Sequence, residues 1–129
     1  MLRRGLGVTR MLRTVHVFDV RPGTEESSFI EWLDGMLWEH SRRFGCLERK
    51  TWRFLDGIEG DYESGKPVHN RPRYLNEAFW PDQQALERFQ AWLRSHEARD
   101  FRNKWFSGVR NHTVLRYLDY EPRRQLGDD

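Results

Sequence analysis

Three observations predict an α+β fold with the element order β-α-β-β-α-β and an antiparallel four-stranded sheet. Short runs of β-branched and aromatic residues stand near both ends of the chain and in its middle. Two longer segments carry apolar residues three and four apart, the spacing of one helical face. Helix-start residues and glycine or proline stops separate the two kinds of segment. The 129 residues are one domain's worth of chain.

The elements follow in order. Thr14 to Val20 (TVHVFDV) is the first strand, and Pro22-Gly23 ends it. Thr24 offers a hydroxyl cap to the first helix, with Glu25 and Glu26 favouring the positive end of its dipole. Phe29, Leu33, Met36, Leu37, His40 and Phe44 form its apolar face, and Gly45 its stop. Cys46 to Phe54 (CLERKTWRF) alternates as a second strand. Asp56 to Pro72 is then a loop of 17 residues with three glycines, predicted as a lid, a dimer arm or a plain excursion. Arg73 to Trp80 (RYLNEAFW) is the third strand. Asp82 caps a second helix that buries Leu86, Phe89 and Leu93, and Ser95 re-caps a helical segment bearing Ala98, Phe101 and Trp105. Thr113 to Tyr120 (TVLRYLDY) is the last strand, which completes the ferredoxin-like order.

Alternation along the strands points to a partner. Val15 and Val17 face one way while His16, Phe18 and Val20 face the other. Val114, Leu118 and Tyr120 oppose Leu115 and Tyr117 in the same manner. Two helices cover one face of a four-stranded sheet, so the second apolar face predicts a face-to-face homodimer. Glu48, Lys50 and Glu77 lie within strands, and Arg49, Arg53 or Arg116 of a partner copy are their expected counter-charges; a carboxylate with a shifted pKa is the alternative.

Composition excludes several classes of function. Aromatic residues make up 14% of the chain, eighteen rings in all, beside 33% charged residues, which excludes a disordered chain. No run of eighteen apolar residues spans a membrane. The net charge of +2 is spread along the chain, unlike the basic face of a nucleic-acid binder. Cys46 stands alone, which excludes an internal disulfide and a cysteine-rich zinc site and fits a reducing cytoplasm. Five histidines occur without metal-ligand spacing, so no metal is expected. His69 falls in the loop, His96 and His112 are expected near element ends in solvent, and His40 is expected to be structural. Residues 1–11 read as a flexible extension or a mis-assigned start, since MLR recurs at Met1 and Met11, and 121–129 as a polar tail.

Three stretches then carry a resemblance: Val20 to Ile30 (VRPGTEESSFI), Gly45-Cys46-Leu47, and Phe79-Trp80-Pro81-Asp82 with Ala85-Leu86. In their order and spacing the chain resembles the antibiotic biosynthesis monooxygenase-like family of the dimeric α/β barrel superfamily, from about Leu12 to Tyr120. It departs from the family in having Phe44 where a proline usually precedes Gly-Cys, and in its longer loop. The resemblance implies a homodimer with an apolar cavity between sheet and helices in each subunit. It also implies oxidation of small aromatic or quinol-type substrates by O₂ without a cofactor, while other members degrade haem.

Such chemistry needs a base, a hydrogen bond to hold the substrate anion, and an apolar enclosure. His16 is the candidate base, mid-strand among apolar neighbours and titrating near neutrality. Tyr74, Asn76 and Trp80 share one strand face and are expected to line the pocket, with Phe89 and Trp92 shaping it. Haem-degrading relatives pair an Asn, a Trp and a His; here His16, Trp92 and Arg102 stand at those positions, so one of three matches. A dimer that binds a hydrophobic ligand or haem without turnover is the alternative function.

Overall fold

The computed structural model describes residues 11–69 and 71–120, so the expectations for the first ten residues and for 121–129 lie outside the described residues. The elements are β1 (Leu12–Val20), α1 (Glu26–Ser41) with a 3-10 turn at Arg42–Phe44, β2 (Glu48–Arg53), β3 (Ile58–Glu59) and β4 (Lys66–Pro67). They continue with β5 (Tyr74–Trp80), α2 (Gln83–Leu93), α3 (Arg99–Gly108) and β6 (Val109–Leu118). The main sheet runs β2-β5-β1-β6, antiparallel throughout. This is the ferredoxin-like α+β fold that the order of elements predicts.

Local chemistry explains most boundaries. Glu25, not Thr24, caps α1: its carboxylate accepts from the amides of Ser27 and Ser28. Gly45 ends the following turn at φ 103°, a left-handed value that glycine adopts without a Cβ clash. Asp82 caps α2 as expected, accepting from the Ala85 amide at 2.8 Å. Ser95 does not start α3; its hydroxyl bonds back to the Trp92 carbonyl at 2.6 Å, and α3 begins four residues later without a side-chain cap. The segment 56–72 is not a structureless loop. It pairs Ile58 with Pro67 and Glu59 with Lys66 in a small ribbon, turned by the Asp61 carboxylate, which accepts from the amides of Glu63 and Ser64.

Parity decides what each strand presents to the helices. Leu12, Thr14, His16 and Phe18 of β1 and Tyr74, Asn76, Ala78 and Trp80 of β5 are buried under them. Phe29, Leu33 and Leu37 of α1, Leu86 and Phe89 of α2, and Trp105 of α3 complete that core. Each such side chain contributes roughly 1.5–3 kcal/mol by leaving water. Met36, His40 and Phe44 are less deeply placed than the helical spacing predicts.

Strand β6 begins at Val109, four residues before the expected start, and it bulges. Its register against β1 shifts between Val17 and Asp19, with Asn111 at φ 54° and its side-chain amide on the Asp19 carboxylate at 2.8 Å. The extra residue lets both Val109 and His112 turn toward the helices. On the opposite face Leu115, Tyr117 and Trp52 stay 40%, 51% and 49% exposed. Glu77 on that face meets Arg13 of its own sheet at 2.7 Å and accepts from the Trp52 indole, so its counter-charge lies within the chain.

Gly108 closes α3 where a Cβ would stand 2.3 Å from the ring of Phe29. Gly108→Ala is expected to cost about 1–3 kcal/mol despite alanine's better helix propensity. Denaturant midpoints should show the cost shrinking in a Phe29→Leu background; an equal cost in both backgrounds contradicts the contact.

Candidate functional site

A cavity of about 290 Å³ lies between the sheet and the two C-terminal helices. Thr14 and His16 come from β1, Arg49 from β2, and His112 and Val114 from β6. Leu86, Phe89, Gln90 and Leu93 of α2, with Trp105 and Phe106 of α3, supply a largely apolar roof, and Arg94 and Arg102 complete the lining. Its size is near the lower end of the roughly 300–1,000 Å³ typical of small-ligand sites.

Two histidines meet on its wall. Nδ1 of His16 lies 3.0 Å from Nε2 of His112, the rings nearly parallel, and Trp105 leans on both at centroid distances of 5.4 and 5.8 Å. One ring nitrogen donates and the other accepts, which requires at least one neutral ring. Burial, then the charges of Arg49 and His112, hold His16 well below the usual histidine range. Burial alone lowers His112. The pair is therefore neutral near pH 7, and among the described residues no further hydrogen bond engages His16.

Arg49 is the third polar group. Burial lowers its pKa to about 10, so it stays charged at neutral pH. Arg102 is held by the carbonyls of Leu93 and Ser95. Among the described residues, no group of three or more His, Cys, Asp or Glu is placed to hold a metal ion, and no helix is long and apolar enough to cross a membrane.

Of the residues the sequence singles out, His16 and Phe89 line this cavity. Trp80 is fully buried in the core, its indole donating to Thr14 at 3.3 Å and its ring 5.4 Å from Phe89. Asn76 is buried beside it in the sheet and donates to Thr51, which donates in turn to Asp34 at 2.5 Å. Tyr74 turns its hydroxyl to Glu26 and lines a different, larger groove of about 700 Å³ between α1 and β2. Trp92 packs away from the cavity, between His40 at 4.6 Å and the Arg43 guanidinium at 4.8 Å. Tyr74, Asn76 and Trp80 do share one face, but a strand 7 residues long spans more than one cavity.

Sequence reasoning placed His112 in solvent and gave Arg49 no site role; both belong to the cavity. His112 shares the even positions of β6 with Val114, so extending that strand's alternation backward finds it. No local signal marks Arg49, whose role depends on how α1 and α2 close over β2.

No protein-family model matches the chain, and no curated protein matches it significantly in sequence. Solved structures do resemble it. SnoaB, a cofactor-independent oxygenase from Streptomyces nogalater, superposes with a TM-score of 0.55 at 16% identity, over 92% of this chain and 99% of that one. A dimeric ferredoxin-like protein from an uncultured marine organism gives 0.59 at 14%, over 88% and 99%. A hydroxynitrile lyase from Passiflora edulis gives 0.54 at 15%, over 88% and 97%. At such identities the likeness establishes the shared fold.

The buried histidines make stability depend on pH. A histidine whose folded pKa lies below its unfolded value of 6.5 binds its proton more readily in the unfolded chain. Its contribution is complete above about pH 6.5 and is lost as pH falls below that value, by up to about 1.4 kcal/mol per pH unit for His16. Urea midpoints measured across this range should fall on acidification, with a shallower slope in His16→Gln. An unchanged slope in that variant contradicts the burial of a neutral His16.

Proposed function

We propose that the chain is a cofactor-independent oxygenase-type enzyme acting on a small aromatic or quinol-type substrate, with His16 as the base. The observation that supports this most is the neutral His16–His112 pair facing an apolar enclosure of small-ligand size. In this reading His16 donates from Nδ1 to His112, which leaves Nε2 as the acceptor aimed at the substrate. An activated ring CH₂ loses a proton to that nitrogen, and the carbanion adds O₂. The peroxide takes the proton back, and water leaves with the second hydrogen, so the CH₂ ends as C=O. Phe89, Trp105 and Leu93 exclude water from the charged intermediate. That a structure of the same fold is described as a cofactor-independent oxygenase supports the choice of reaction.

The open sheet face supports a homodimer. Leu115, Tyr117 and Trp52 form an apolar surface that none of the helices among the described residues covers, and the similar marine protein is described as dimeric. The lone buried Cys46 suits a cytoplasmic setting.

Oxygen uptake on a phenolic CH₂ substrate should fall about 10²–10⁴-fold in His16→Ala, with a smaller loss in His112→Phe. Full uptake in His16→Ala removes His16 from the mechanism. Ligand or hemin binding by the native protein without any uptake favours the non-catalytic alternative instead. Leu115→Asp should convert a dimer to a monomer in sedimentation equilibrium; an unchanged mass places the contact elsewhere.

A further inference from the structure

Arg49 carries a charge that no ion pair among the described residues meets. Its side chain sits between α1 and α2, where Nη1 donates to the Leu37 carbonyl at a long 3.4 Å and the guanidinium lies 5.8 Å from the ring of Phe89. Its Nε is buried with no hydrogen-bond partner. Asp34, the carboxylate that acts on it electrostatically, stands beyond ion-pair distance, and none of the ion pairs among the described residues includes Arg49. A half-buried cation with a buried, unpaired Nε is costly unless a partner completes it.

Arg49 stands between the larger groove, whose lining includes Glu31 and Asp34 with neither in an ion pair to it, and the smaller cavity, which offers no acidic partner. The smaller cavity's lining holds three arginines and two histidines but no aspartate or glutamate, in a chain with 20 acidic residues. Arg102 is occupied by backbone carbonyls and Arg94 is exposed, which leaves Nε of Arg49 as the unsatisfied arginine donor. A second orphan donor, the buried indole N–H of Trp105, belongs to the same wall.

We infer that the ligand of this cavity is an aromatic acid whose carboxylate is bound by the guanidinium of Arg49. A guanidinium presents two parallel donors that match the two oxygens of a carboxylate, and desolvation strengthens the pair. The ring then rests between Phe89 and Trp105, beside His16. This deepens the reading above, on which it rests for the cavity being the substrate site, by giving the substrate a permanent negative charge remote from the reacting carbon.

Binding measured without oxygen separates the two claims. Benzoate, salicylate and 1-naphthoate should each be titrated by calorimetry against the matching neutral amides. The native protein is expected to favour the carboxylates by about 30-fold or more. Arg49→Met should lose that preference while amide binding stays the same, and Arg49→Lys should keep part of it. Equal affinity for acids and amides in the native protein overturns the inference, as does failure of all three acids to bind. A preference retained in Arg49→Met overturns the assignment to Arg49. Arg49-dependent binding with no oxygen uptake on any aromatic acid leaves the carboxylate site standing and removes the oxygenase reading.

Discussion

A sheet with helices on one face sorts its side chains by parity, and a polar group that parity sends under the helices must find a partner inside or bear the cost of going without one. Thr14, His16 and Asn76 are all in that position. Thr14 accepts from the Trp80 indole, Asn76 donates to Thr51, and His16 meets His112 across the bulge at Asn111. Without a partner each would cost about 1–3 kcal/mol. These bonds hold β1, β5 and β6 in register while the aromatic core closes over them.

The cavity follows from the same sorting. Trp80 and Phe89 fill the space near α2, and Trp105 fills the space near α3, but the two indoles do not meet over His16. What remains is a recess with aromatic walls, two neutral imidazoles and an unmatched guanidinium. Burial acts on both: it withholds protons from the histidines, while it lowers Arg49 only to about 10 and leaves it charged. Neutral imidazoles and a charged guanidinium thereby coexist at one pH.

The outer face of the sheet is organised differently. Arg13, Glu77 and the Trp52 indole form a chain of polar contacts among exposed apolar side chains. The 58–67 ribbon rises at the end of β2 and joins Trp52 and Phe54 around a further recess of about 400 Å³. Ten of the eighteen rings lie in or against the core under the helices, while Trp52 and Tyr117 stand on the outer face and Tyr62 and Tyr120 are exposed.

The order of elements, the Asp82 cap, the Gly45 stop and the side of the sheet to which His16 points were legible in sequence, because spacing, capping and alternation are local properties. The sequence also showed an apolar second face. Tertiary structure decided which of the residues on one face share a cavity: Trp80 and Asn76 are locked into the core, Trp92 is turned to His40, and Tyr74 opens on another groove. It decided too that His112 reaches His16, since that contact spans 96 positions of chain and depends on a bulge. Alternation fixes a side chain's face, whereas its neighbours are fixed by how helices far along the chain come to rest upon it.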